Sequence, residues 1–355
     1  MSLSSSSFSS SILLPVCDYD LAATLDSGQV FRWQQSADGS SASSNTWIGV
    51  IGIHRVRLTQ THNGIFAETA VPVKNWSWLR DFLQSETDLA AVLKTFPDDE
   101  PMRAAVAACS GLRVLRQEPW ECLASFILSS TKQIVQIRQI IALLCERFGE
   151  PVALAPFVGG IGLWPVVSGV PPETVGECGL DLVPVDNQQR TTSDEIRRDA
   201  GFDGRDAHAT HFKGKNSLWF AFPTPQRLAA LNETDLRACK MGFRAPHLLN
   251  AARQIAEGKL DLEKVRSLPL TDARAELMKL RGIGGKIADC VLLFAYGFDA
   301  AFPVDVWVER ALRQLYFPRR QVSEKKLRYF AATHFGPHAG YAQQYLFHYM
   351  RTQLR

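Results

Sequence analysis

Lys286 and Asp305 are the two residues of this sequence whose types and setting fit covalent chemistry at an electrophilic carbon. Lys286 ends the stretch Leu280-Arg-Gly-Ile-Gly-Gly-Lys286 and opens an apolar run through Cys290. Asp305 lies nineteen positions later in Phe302-Pro-Val-Asp305-Val-Trp-Val-Glu-Arg310, just ahead of another helical pattern. A lysine amine is ordinarily protonated at neutral pH and attacks carbon only after losing that proton. Burial near other cationic groups favours the loss. An aspartate at a helix start is often explained as an N-cap alone. A lysine beginning one helix and an aspartate beginning the next can, however, converge on one cleft.

Between the helix that precedes Lys286 and the one that follows it stand Gly282, Gly284 and Gly285. Glycines let a chain turn tightly and approach a ligand closely. The helix that starts there presents unpaired N–H groups and the positive end of its dipole, a natural seat for a backbone phosphate. The pattern is a helix–hairpin–helix, predicted over residues 272–296, which would read nucleic-acid backbone shape rather than base sequence. A plain helical hairpin closed by glycines fits the same residues, so the motif needs its neighbours. The helix leading into it is expected to bury Ala275, Leu277, Met278 and Leu280.

Other elements must hold these residues in place. Residues 18–110 are expected to form an N-terminal antiparallel sheet subdomain, since Val56 and Leu58 alternate with Arg55 and Arg57. Asn63-Gly64 then reads as a turn into a strand beginning Ile65-Phe66-Ala67. The pattern becomes helical from Trp76. Leu123, Phe126 and Ile127 fall at helical spacing after Pro119, and Ile134, Ile137, Ile141 and Leu144 share one face of the following helix. Thr224-Pro225 and Asn232-Glu-Thr-Asp235 read as helix starts. Residues 158–215 break both periodicities and are expected to be a disordered insertion in a helical body spanning 111–355. The serine-rich segment 1–17 has no basic start and is expected to be a disordered tail rather than a secretory signal. The fold class is therefore α+β, an antiparallel sheet packed on a mostly helical body.

Composition narrows the function classes. Seven cysteines form no CxxC pair, which fits a reducing compartment and calls for no structural zinc. No apolar run reaches membrane-spanning length. The expected setting is cytoplasm or nucleoid in a bacterium, or a eukaryotic nucleus, and not secretion. The whole chain carries only +3, yet from Lys240 to Arg355 there are 19 Lys and Arg against 10 Asp and Glu. A basic C-terminal third on an otherwise acidic chain suits a polyanionic partner. A solvated, charge-rich helical surface would look the same by charge alone.

The combination LRGIGGKIADC and FPVDVWVER resembles the helix–hairpin–helix–Gly/Pro–Asp superfamily of DNA glycosylases, and within it the 8-oxoguanine DNA glycosylase family. Ser27-Gly-Gln-Val-Phe-Arg-Trp33, the block from Gly111 to Ile127, Met241-Gly-Phe-Arg244 and Gly340-Tyr-Ala-Gln-Gln-Tyr-Leu-Phe347 resemble further blocks of that family in the same order. The likeness runs from about residue 18 to the end, apart from the insertion.

The resemblance implies base-excision repair of duplex DNA containing an oxidised purine, by a monomer that needs no cofactor and no metal. Lys286 would displace the base and form an imine with the sugar. β-Elimination would then nick the strand, and Asp305 would stabilise charge on the sugar. A flipped base would enter a pocket containing Gly28, Cys290, Gln343 and Phe347. The Gly28 carbonyl would accept the N7 hydrogen that distinguishes 8-oxoguanine from guanine, while Gln343 bonds the base edge and Phe347 stacks. Phe243 and Arg244 would fill the gap in the duplex, with Phe243 in place of the usual tyrosine. Thr131, Lys132 and Gln133 would face DNA where animal members have asparagines. Gln136 replaces an arginine there, so the resemblance carries no preference for cytosine opposite the lesion. Trp307 replaces a histidine.

Single features of the sequence separate it from three other classes of protein. Glycosylases of alkylated bases lack the lysine. The pyrimidine-directed branch ends in a four-cysteine iron–sulfur cluster, and no cysteine follows Cys290 here. A non-catalytic DNA-binding hairpin would leave Lys286 and Asp305 without purpose.

Overall fold

The computed structural model describes residues 10–36, 45–129, 133–152 and 219–353. Thr131, Lys132 and the expected insertion at 158–215 lie outside the described residues, as do residues 1–9.

Five strands form one antiparallel sheet: β1 (Ser10–Leu14), β2 (Trp33–Gln35), β3 (Thr46–Ile51), β4 (His54–Thr61) and β5 (Gly64–Thr69). Their spatial order is β1-β5-β4-β3-β2. The alternation read in the sequence sets its faces: Val56 and Leu58 are fully buried, and Arg57 on the other face pairs with Glu68 at 2.6 Å. Thr61 pairs with Gly64, so Asn63-Gly64 is the hairpin tip expected. Helices α1 (Leu21–Asp26) and α2 (Ser77–Leu83) close the apolar face, packing Leu21, Leu25, Leu79 and Leu83 against Val56, Leu58 and Ile65.

Two expectations about the first third are corrected. The tail does not run to Cys17, because Ser10–Leu14 pairs along β5 and Leu14 is buried. The short apolar stretch Ile12–Leu14 gains burial only when a neighbouring strand offers its edge, which a local reading cannot see. Nor is 18–110 purely a sheet unit. Helices α3 (Leu89–Leu93) and α4 (Glu100–Ala108) place Val92, Met102 and Ala105 in the core of the helical body.

That body is built on α5 (Pro119–Ser129), whose residues from Cys122 to Leu128 are all buried. A helix apolar all round belongs inside. Packed around it are α6 (Ile134–Phe148) and α9 (Ala245–Ala256), with the short helices α7 (Pro225–Ala229) and α8 (Glu233–Arg237) lying on α9. Thr224 and Asn232 begin these two short helices, as the sequence indicates.

After α10 (Leu262–Val265), helix α11 (Leu270–Met278) and helix α12 (Gly285–Val291) form the hairpin. The buried face of the segment leading into it is Ala273, Leu277 and Leu280. Ala275 and Met278, expected inside, are exposed. Both patterns fit helical spacing, and the one matching α12 wins. Helix α12 packs on α5 and widens into a fully buried π-helical turn, Leu292–Tyr296. Helix α13 (Val306–Ala311), which also ends in a π-turn, rests on α15 (Ala339–Gln353), and α14 (Glu324–His334) lies beside α15.

Candidate active site

Lys286 is the second residue of α12, half-buried where that helix meets the end of α5. Its Nζ donates to Ser129 Oγ at 3.2 Å and stands 5.8 Å from the centre of the Phe126 ring. Ser129 Oγ in turn donates to the Phe126 carbonyl at 2.8 Å, which leaves an oxygen lone pair for the lysine. The amine thus rests at a fixed place beside the last turn of α5, where the dipole favours a cation.

Cys290 lies one turn further along α12 and is buried. Burial pushes its thiol up to about 12, Lys286 opposes this, and the nearby Asp305 and Asp289 carboxylates add to it. Cys290 is therefore a neutral, weakly polar wall rather than a thiolate. Asp305 is the N-cap of α13, and its Oδ1 accepts from the Val308 N–H at 2.8 Å. Burial raises its carboxyl above the usual range; the Val308 N–H, Lys286, the Trp307 N–H and Arg351 each favour its ionised form. Lys286, Cys290 and Asp305 accordingly share one electrostatic neighbourhood.

The hairpin is locked behind them. Arg274 of α11 pairs with the buried Asp289 of α12 at 2.6 Å. Gly282 has a positive φ of 85°, and a Cβ there would stand 2.6 Å from the His247 ring. Gly284 is exposed and a Cβ on it would meet open space, so the backbone at this tip is accessible. Gly285 begins α12 beside it.

A second wall comes from far apart in the chain. Gly28 follows α1 with φ 80°, and a Cβ there would meet Ile134 Cδ1 at 3.0 Å and Phe347 Cε1 at 3.3 Å. Gln344 donates to the Ser27 carbonyl at 3.1 Å and fixes that turn against α15. One helical position earlier, Gln343 is 4% exposed, and its Oε1 has no hydrogen-bond partner among the described residues. A buried acceptor left open is costly unless something fills it.

Phe243 and Arg244 form a separate pair before α9. Phe243 is 59% exposed, while the Arg244 guanidinium lies under its ring at 4.3 Å. Gln133 is exposed at the N-cap of α6.

Residues 11–123 match the N-terminal domain of 8-oxoguanine DNA glycosylase, and residues 207–335 match the HhH-GPD superfamily of base excision DNA repair proteins. The chain belongs to the 8-oxoguanine DNA glycosylase family. A probable N-glycosylase/DNA lyase of Methanothermobacter thermautotrophicus is 27% identical over 95% of both chains. The N-glycosylase/DNA lyase OGG1 of Arabidopsis thaliana is 26% identical over 92% of this chain and 76% of its own. The 8-oxoguanine glycosylase/lyase of Clostridium acetobutylicum, solved with double-stranded DNA containing cytosine opposite 8-oxoguanine, superposes with a TM-score of 0.72. It is 27% identical and covers 95% of this chain and 93% of its own.

The structure also shows partners of these residues that the sequence does not reveal. Ser129, the hydrogen-bond partner of Lys286, reads in the sequence as part of a polar break after a helix. Asp26, Arg138 and Arg351 surround the Gly28 turn: Arg138 pairs with the Asp26 carboxylate at 2.7 Å, and Arg351 donates to the Asp26 carbonyl at 3.2 Å. Only Arg351 left a sequence signal, because it continues the Gln343 and Phe347 face at the same four-residue spacing.

Proposed function

We propose that this protein excises 8-oxoguanine from duplex DNA as a bifunctional DNA glycosylase and abasic-site lyase, with Lys286 as nucleophile. The observation that carries the reading is that the Lys286 amine and the Asp305 carboxyl lie within electrostatic reach of one another and of Cys290, each at the start of its own helix.

In this mechanism the lesion base leaves the stack and enters the space bounded by Cys290, Phe347, Gln343 and the Gly28 turn. The open Gln343 Oε1 accepts from the N–H groups of the guanine edge, and Phe347 offers a stacking face. The Gly28 carbonyl accepts the N7 hydrogen; guanine lacks that hydrogen and would leave the acceptor unpaired, a difference that discriminates strongly. Lys286 Nζ, as the neutral amine, forms a bond to C1′ while the C1′–N9 bond breaks and its electron pair leaves with the purine. The ionised Asp305 stabilises the positive charge developing on the sugar. Loss of the amine proton and ring opening give the imine. Removal of a C2′ proton then expels the 3′ phosphate by β-elimination, and hydrolysis of the imine frees Lys286.

The exposed hairpin tip at Gly282–Gly285 and the basic C-terminal third hold the duplex backbone. Phe243 occupies the vacated space, backed by Arg244. Among the described residues no helix is long and apolar enough to cross a membrane.

The test is release of free base and strand cleavage from a duplex with a single 8-oxoguanine, compared with the undamaged duplex and with Lys286→Gln. Release from lesion DNA only, abolished in Lys286→Gln, is expected. Base release undiminished in Lys286→Gln would refute the nucleophile assignment.

A further inference from the structure

Heterolysis of a glycosidic bond creates two charges, and the residues described so far attend mainly to one of them. Asp305 answers the positive charge on the sugar. The electron pair of the broken C1′–N9 bond stays with the purine, which leaves as an anion until it takes up a proton. A pocket that lowers the barrier should also present positive charge on the base side.

The chain places such a group there. Gln343, Phe347 and Arg351 follow one another at four-residue intervals on α15, so all three face the same way. The Arg351 guanidinium carbon lies 5.5 Å from the centre of the Phe347 ring. Its Nη1 is 3.5 Å from where a Cβ on Gly28 would stand, and the same nitrogen donates to the Asp26 carbonyl at 3.2 Å. The arginine thus touches both the turn and the ring that bound the base pocket. The Asp26 carboxylate is engaged by Arg138, and Arg351 meets Asp26 through its neutral carbonyl oxygen. The charge of Arg351 also bears on Asp305, favouring its ionised form.

We propose that Arg351 is a base-pocket residue that stabilises the departing purine anion, an inference that rests on the functional reading above. A guanidinium suits this place. It stays charged at every working pH, lies flat against an aromatic ring, and offers several donors in one plane. Its bond to the Asp26 carbonyl and its contact with Phe347 fix it before substrate arrives, so little reorganisation is needed as the charge develops.

The alternative is that Arg351 merely pins the Gly28 turn. Two substitutions and two substrates separate the roles. In single-turnover reactions, Arg351→Gln should slow 8-oxoguanine release by roughly 10- to 100-fold, the low end of what one preorganised electrostatic donor contributes, because this side chain is partly exposed. Cleavage of a duplex carrying a preformed abasic site involves no departing base, and should fall by less than about threefold on the same grounds. Arg351→Lys keeps the charge and loses the planar guanidinium, and should recover most of the base-release rate. Equal losses on both substrates, or Arg351→Lys as slow as Arg351→Gln, would overturn the proposal, as would an unchanged rate of base release. The abasic-site arm also reports folding of each variant. A wild-type protein that cleaves abasic duplex and releases no 8-oxoguanine would refute the functional reading itself, an outcome visible before any variant is compared.

Discussion

Replacing Asp305 separates its two jobs, because the same carboxylate caps a helix and serves the reaction. As a cap, Oδ1 accepts the Val308 N–H at 2.8 Å, and asparagine serves nearly as well at such a position. Alanine cannot, and loss of the cap costs about 1 kcal/mol, or about 2 °C in Tm for a chain of this size. The ionisation contributes with the opposite sign. Burial raises the Asp305 carboxyl in the folded protein, so the folded state holds this proton more tightly than the unfolded chain does. The contribution of this residue to stability therefore falls as pH rises from the ordinary aspartate value of 3.8 through the raised one. Asp305→Asn removes that burden while keeping the cap, so at pH 7.5 it should melt at or above the wild-type temperature. Asp305→Ala should melt below Asp305→Asn by about 2 °C. Both variants should lose base release by about 10²- to 10³-fold, the scale of one electrostatic group acting on developing charge. Calorimetry and single-turnover base release measure the two effects on the same samples. An Asp305→Asn variant with near-normal turnover would refute the catalytic role. An Asp305→Ala variant as stable as Asp305→Asn would refute the capping role. On the wild type, base release should decline on the acid side at a pH above the ordinary aspartate range, since the active form is the carboxylate.

Four further outcomes are expected. Ser129→Ala should slow imine formation with little change in duplex affinity, while Ser129→Thr, which keeps the hydroxyl, should retain most of the rate; borohydride trapping over time reads this. Gly28→Ala forces a side chain onto a backbone with φ 80° and to within 3.0 Å of Ile134. It should reduce discrimination against guanine, measured as the ratio of base release from lesion and undamaged duplexes. Arg274→Met removes the hydrogen-bonded partner of the buried Asp289 and should cost about 1–2 kcal/mol, less than for a fully buried pair because the Arg274 side chain is 33% exposed; denaturant unfolding checks it. Affinity for undamaged duplex should fall steeply with salt, the log–log slope being about −0.9 per phosphate neutralised, and a flat dependence would contradict phosphate binding by the basic C-terminal third.

Lys286, Asp305 and the glycine hairpin were readable because each belongs to a short contiguous pattern in which helix ends announce themselves. The sheet was readable where one strand alternates strictly, as at Val56 and Leu58. The β1 strand was not, since its pattern acquires meaning only beside β5. The buried side of α11 was ambiguous, because Ala275 and Met278 fit helical spacing as well as Ala273 does. What stayed hidden at the site is through-space pairing. Ser129 is 157 positions from Lys286, and Asp26 is 325 positions from Arg351. No local pattern joins residues at such separations. The π-turns that end α12 and α13 were equally silent, since an apolar run looks the same whether it is wound as α or π.

In the proposed reaction Lys286 becomes covalently joined to the lesion strand. Borohydride trapping on duplexes carrying one 8-oxoguanine, opposite each normal base in turn, tests it most directly, with undamaged duplex and Lys286→Gln alongside. A trapped adduct is expected with lesion DNA alone and only when Lys286 is present. Trapping that persists in Lys286→Gln, or base release by the wild type without any trappable adduct, would contradict it.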